Sequence, residues 1–142
     1  MVVISAFLLI GCGSAPRPRD ATQEAWYRQS VAELDGLNRQ ADDAFKAGKG
    51  DEAAAIIQKA QPVMKKILDV THPTLEAAEA ASDLDDLYGR MLLSNHHYGW
   101  AQMMFQKNLS RWKHWEPQSE ETARRLKQAE SEIAECSRRM ER

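Results

Sequence analysis

From Asp20 onward, apolar residues recur at intervals of three and four, the spacing that lines one face of an α-helix. Tyr27, Val31, Leu34, Leu37, Ala41 and Phe45 form the first stripe. Gly36 lies inside it and predicts a bend or break at Asp35-Gly36, because glycine in a helix costs about 1 kcal/mol relative to alanine. Ala47-Gly48-Lys49-Gly50 is a stop signal in which glycine supplies the positive φ of a helix C-cap. A second helix, capped by Asp51, carries Ala53, Ile56, Ile57, Ala60, Met64, Ile67 and Leu68. Pro62 falls within it and predicts a kink, since the missing amide costs about 3 kcal/mol in a straight helix. Thr71-His72-Pro73 ends this helix, because the residue before a proline avoids helical geometry.

A third helix runs from Thr74 to near Leu93, with Leu75, Ala78, Leu84, Leu87, Tyr88, Met91 and Leu92 on its apolar face. A loop at Ser94–His97 leads to a fourth, which starts near Tyr98 and stops before Pro117, presenting Tyr98, Ala101, Phe105, Leu109, Trp112 and Trp115. Ser119 is placed to cap a fifth helix. Its thin seam of Leu126, Ala129, Ile133, Cys136 and Met140 suits an element that shields the end of a stack.

The pattern repeats. A shift of 48 places Ala53 on Ala101, Ile56-Ile57 on Met104-Phe105, Gln58-Lys59 on Gln106-Lys107 and Met64 on Trp112. Ala41 falls on Gly89, and each stands 12 residues before the alanine of the partner helix. Two helical hairpins that share one register of small residues are built to stack. The register resembles the tetratricopeptide repeat, with a small residue in the first helix and an alanine twelve residues later, followed by a large apolar side chain. Ala41, Ala53, Ile57 and Ala60 match in the first unit, and Gly89, Tyr98, Ala101 and Phe105 in the second. Asn108 and Gly50 depart from it. With His72-Pro73-Thr74 upstream, Leu84 and Leu87-Tyr88 inside, and Pro117 and Thr122-Ala123 beyond, the second unit looks most like the longer repeats of kinesin light chains.

The resemblance implies an all-α fold over residues 21–142: antiparallel hairpins stacked as a short solenoid, closed by a C-terminal capping helix. It also implies protein or peptide binding in a groove lined by the first helix of each unit. Asn38, Asp42 and Lys46, then Asp86, Arg90 and Asn95, are the polar residues placed to meet an extended chain there. His97 and Trp100 fall outside the packing stripe and are candidates for a surface contact. A plain five-helix bundle is the alternative architecture.

Ahead of the helices, Met1–Ile10 is an uncharged apolar run, too short to cross a bilayer as a permanent helix and the right length for the hydrophobic part of a signal peptide. Leu9-Ile10-Gly11-Cys12 resembles the lipobox of bacterial lipoproteins. That resemblance implies a signal peptide over 1–12, with Cys12 lipidated on its thiol. Residues 13–20, rich in Ser, Pro and Arg, then form a flexible tether. It further implies an address in the bacterial cell envelope. With no aspartate after Cys12, this is the periplasmic side of the outer membrane in a two-membrane cell. The usual lysine or arginine start is missing, since only the Met1 amine is positive before the run.

Charge and chemistry narrow the function classes. With 19 basic against 21 acidic residues, both signs mixed along the helices, the chain carries no electrostatic footprint for nucleic acid. Two cysteines, Cys12 and Cys136, exclude a disulfide framework and a cysteine zinc site. Adjacent His96 and His97 point in different directions, whereas a helical metal pair needs a spacing such as i and i+4. The P-loop, dinucleotide and Gly-x-Ser-x-Gly patterns are missing, so no catalytic residue, metal or cofactor is assigned and the chain is not read as an enzyme. Glu79, Asp83, Asp85 and Asp86 lack EF-hand spacing and are expected to form a solvated helix face. Cys136 is expected to be a small buried hydrophobe. The expected partner is a protein or peptide, with the membrane engaged through Cys12. Two rivals stand: a structural envelope lipoprotein that oligomerises, and a metal-dependent enzyme using His96, His97 and His114.

Overall fold

Residues 17–142 are described by the computed structural model, and five α-helices account for most of them. A single 3-10 turn at Ala21–Gln23 precedes α1 (Ala25–Lys46), α2 (Gly50–Leu68), α3 (Leu75–Ser94), α4 (Tyr98–His114) and α5 (Glu120–Met140). No strand occurs among the described residues. The apolar run and Cys12 lie outside them.

The helices fall where the periodicity predicts them, with corrections at Gly36, at the cap of α2, and at Leu75 and Met140, which the stripes place on packing faces but which are exposed, 38% and 48%. α1 runs unbroken through Gly36, because Leu34 and Ala41 on either side are fully buried and their packing outweighs a local propensity cost. α2 is one helix that contains Pro62, with no clean break there. Pro62 and Gln58, whose carbonyl loses its amide partner, are both exposed, so the freed group is open to solvent. The residue that caps α2 is Lys49 rather than Asp51. Asp51 sits with Glu52 in the first turn, where their charge suits the helix dipole.

The turns within the two hairpins are superposable residue by residue at a shift of 48. Gly48 and His96 both take positive φ, 76° and 63°. Lys49 and His97 follow with nearly identical backbone angles, φ −92° and −88°, ψ 64° and 61°. The Lys49 amide donates to the Ala44 carbonyl at 2.9 Å and the His97 amide to that of Leu92 at 2.8 Å, the paired carbonyl contact that closes a helix on a left-handed residue. Glycine meets that requirement at Gly48; His96 meets it against its steric preference.

α3 is the central element and packs against α1, α2 and α4, while α5 lies along α4. Its run of Ala77, Ala78, Ala80 and Ala81 is buried, which lets neighbouring backbones approach closely. Gly89 serves the same end, since a Cβ there would sit 2.5 Å from the ring of Phe105 on α4. Tyr27 is buried against this frame, and its hydroxyl accepts from the Thr74 amide at 3.1 Å, tying the start of α1 to the start of α3. Phe105 and Trp112 are fully buried as expected, and the Trp112 Nε1–H donates to Ser82 Oγ at 2.9 Å. α5 opens on a capping box in which Ser119 and Thr122 exchange side-chain and backbone hydrogen bonds. Cys136 is fully buried between α4 and α5, and burial pushes its thiol pKa up, as suits a core residue.

Candidate functional site

α1, α3 and α5 together line three adjoining cavities. The largest, about 610 Å³, has an apolar floor of Tyr27, Val31, Ala32 and Ala80, with Glu76 and Glu79 at its edge. It shares Asp35 and Asp83 with a second cavity of about 210 Å³ lined by Asn38, Asp42, Asp86 and Arg90. A third, about 60 Å³, shares Asp83 and Asp86 with the second and reaches Gln128 and Glu132 of α5. Adjoining through these shared residues, the three make up a trough along α1, α3 and α5.

Charged side chains bridge the helices beneath it. Arg90 donates from its Nη2 to Asp42 Oδ1 on α1 at 3.0 Å and from Nε to Asp86 Oδ2 at 2.8 Å. Asp42 also pairs with Lys46. The bond from Lys46, followed by that from Arg90, holds the Asp42 carboxyl below the usual carboxylate range. Burial disfavours the charge on Arg90, but the two carboxylates outweigh it and raise its pKa. On the other flank Arg125 of α5 reaches Asp83 at 2.7 Å, and Gln128 Nε2 donates both to Asp86 Oδ1 at 3.1 Å and to Glu132 Oε1 at 3.0 Å. Burial, reinforced by the nearby Asp86 carboxylate, pushes the Glu132 carboxyl up to about 8.

Asn38 differs from its neighbours. It is buried, and its Nδ2 donates to the mid-helix Ala80 carbonyl of α3 at 2.8 Å. Its Oδ1 is buried with no hydrogen-bond partner. Such an acceptor is uncommon in a native fold and is costly unless a donor arrives.

The structure therefore divides the residues nominated from the sequence into two places. Asn38, Asp42, Lys46, Asp86 and Arg90 gather along the trough. Asn95, His97 and Trp100 do not join them. Asn95 is the C-cap of α3, and His97 and Trp100 line a separate cavity of about 440 Å³ with Tyr88, Leu92 and Met104. Trp100 is 64% exposed and Met103 51%.

The acidic run on α3 is solvated only in part: Asp83 is exposed and Glu79 and Asp86 half-buried, but Asp85 is buried. Successive helical positions are rotated by about 100°, so its members point to different neighbours. Asp85 is buried against α4, where it accepts from Arg111 at 2.9 Å and Lys107 at 3.4 Å, while Asp83 and Asp86 face α5. Two of the histidine rings are engaged locally, His96 Nδ1 with the Tyr98 hydroxyl at 2.7 Å and His114 Nδ1 with the Ser110 carbonyl at 2.8 Å, while His97 holds the N-cap position of α4 through its backbone alone. No three His, Cys, Asp or Glu side chains gather to hold a metal ion among the described residues.

Sequence reasoning missed the share of α5 in the trough, namely Arg125, Gln128 and Glu132. It also missed Glu76 and the apolar floor. A signal was present for part of this. Asp42 and Arg90, opposite in charge, stand 48 apart and pair directly, so register mates in the repeat are spatial neighbours. On α5 the equivalent offset is 42, as in Asp83 with Arg125 and Asp86 with Gln128, and a search at 48 does not find it. Compared with family models, curated proteins and solved structures, the chain matches none.

Proposed function

We propose that the protein is a lipid-anchored helical-repeat module of the bacterial cell envelope, stacked in the tetratricopeptide manner, that binds an extended protein or peptide segment along the α1–α3–α5 trough. The observation that carries this reading is the row of adjoining cavities, whose lining comes from equivalent positions of successive helices, as with Asp35 and Asp83 or Asn38 and Asp86. The matched turns at Gly48 and His96 support the repeat. The in-register contacts of Arg125 and Gln128 support α5 as both a cap and a third wall. No helix among the described residues is long and apolar enough to cross a membrane, and in this reading the anchor is the lipid on Cys12.

Site-specific photo-crosslinking in membranes tests the binding face. A crosslinker at Val31 is expected to capture a partner that one at exposed Gln58 on α2 does not. Capture from Gln58 with none from Val31 overturns the assignment. Radiolabelled palmitate, incorporated by the parent and lost in Cys12→Ser, tests the anchor. The alternative of an oligomerising envelope lipoprotein is favoured by exposed Trp100, which lines a cavity with His97, and by exposed Met103. Light scattering of the parent and of Trp100→Glu tests it: a mass that halves in the variant supports it, and a monomeric parent rejects it.

A further inference from the structure

We propose that the trough selects an extended peptide bearing an arginine or lysine, whose cationic head is held by Glu76 and Glu79 and whose methylene stem lies on the apolar floor of the largest cavity. This rests on the reading of the trough as a peptide-binding surface and specifies what that surface recognises.

Charge complementarity carries the inference. Along the middle of the trough the charges cancel, four against four: Asp42 and Asp86 clasp Arg90 while Lys46 also pairs with Asp42, and Arg125 pairs with Asp83 and Glu121 while Arg124 also pairs with Glu121. At the end where α3 begins they do not cancel. Glu76 and Glu79 are separated by one helical turn, both line the large cavity, and neither has an ion-pair partner among the described residues. Arg28 lines the same cavity with its Nη1 turned to the Gln23 carbonyl at 3.0 Å and offsets one of these charges, leaving the two glutamates in excess of it. Asp35, on the facing helix, adds a further carboxylate, although Arg39 pairs with it.

Beside these acids the floor is Val31, Ala32, Ala80 and the buried ring of Tyr27. An acidic edge over an apolar floor suits a side chain with a hydrocarbon stem and a charged tip, which is what arginine and lysine offer. A cavity of about 610 Å³ lies within the usual range for a bound group of that size.

An independent observation calls for a chain rather than a free cation. One turn along α1 from Asp35, the unpartnered Oδ1 of Asn38 lies buried where the trough continues. Its Nδ2 is held by the Ala80 carbonyl, so the amide is fixed with an acceptor to offer. The atom is closed off as it stands, so a backbone N–H of a bound chain would satisfy it by displacing a neighbouring side chain as it docks, with main-chain groups then bonding as they do in other extended-peptide sites.

The test is a titration of the isotope-labelled full chain in detergent micelles, followed by amide chemical shifts. The probes are acetyl-Val-Thr-Arg-Thr-Val-amide and its norleucine and glutamate counterparts. The arginine peptide is expected to bind saturably, shifting amides around 28–38 and 76–83. It should weaken about tenfold in the Glu76→Gln/Glu79→Gln double variant and on raising salt, as for a partly exposed charge-assisted contact. Both positions are accessible, so the variant should keep the parent spectrum elsewhere. Norleucine or glutamate peptides binding as well as arginine overturn the cationic specificity while leaving the trough as a peptide site. Acetyl-arginine-amide binding as tightly as the pentapeptide overturns the requirement for a chain. Failure of every probe overturns the proposal, and the crosslinking at Val31 then judges the broader reading separately.

Discussion

Gly89→Ala should destabilise the protein even though it replaces the poorest helix former but proline with the best. In an open helix position the change is worth up to about 1 kcal/mol in favour of alanine. At Gly89 the new Cβ would lie 2.5 Å from Cε1 and 2.8 Å from Cζ of Phe105, a ring that is itself fully buried. Restoring ordinary contact requires α3 and α4 to separate by about 1 Å or the ring to leave its rotamer, and overpacking of this kind costs about 1–3 kcal/mol. With such short contacts to a rigid group, the upper end applies. The net expectation is a loss of about 2 kcal/mol, or a fall in Tm of roughly 6–10 °C for a domain of this size. Urea denaturation followed by circular dichroism at 222 nm measures it. Gly36→Ala is the matched control, because nothing lies within 4 Å of its Cβ, and it should gain about 0.5–1 kcal/mol. The first hairpin has Ala41 and Ile57 at the positions of Gly89 and Phe105, so a larger small residue is matched by a smaller large one. Gly89→Ala with Phe105→Ile recreates that pair, and the double variant should be about 1–2 kcal/mol more stable than the sum of the single changes. A Gly89→Ala protein at least as stable as the parent, or additive behaviour with Phe105→Ile, would refute the reasoning.

Three further expectations follow from local geometry. Glu132, raised from 4.5 to about 8, binds a proton in the folded state that the unfolded chain has released, so it makes stability fall as pH rises between those values. The groups facing it are Asp86 and Arg90 on α3, Asp42 beyond Arg90 on α1, and Gln128 on its own helix, and Glu132→Gln should flatten the difference in urea midpoint between pH 5.5 and 8.5. An unchanged difference would count against it. His96→Gly should raise stability by about 0.5 kcal/mol, relief of the left-handed backbone exceeding loss of an exposed contact with Tyr98, whereas Gly48→Ala at the equivalent turn should lose about 1 kcal/mol. Asp85→Ala should cost about 3 kcal/mol by leaving the largely buried Arg111 without its carboxylate, while Lys107→Ala, half exposed, should change stability by less than about 0.5 kcal/mol in the same denaturation assay.

The helices, most of their ends and most of the buried positions were legible in the sequence because each rests on local or periodic signals: stripes at three and four, glycine at Gly48, proline at Pro73 and Pro117, serine at Ser119. Leu75 and Met140 lie on the same stripes but are exposed, because they stand at the outer ends of α3 and α5. The 48-residue register was legible for the same reason and extends to the backbone angles of the two turns. Which charges meet was not. Asp83, Asp85 and Asp86 look alike as a string, yet one faces a cavity edge, one is buried on Arg111 and one shares an amide with Glu132. That outcome depends on how helices distant in sequence are placed around α3, and no single-helix pattern encodes it. Gly36 makes the converse point, because tertiary packing cancelled a local signal for a break. What the sequence determined by itself is a set of five amphipathic helices with a repeating register. The trough, its neutral middle, its acidic end and the solitary acceptor on Asn38 were decided by tertiary structure, because electrostatic pairing and desolvation depend on neighbours in space.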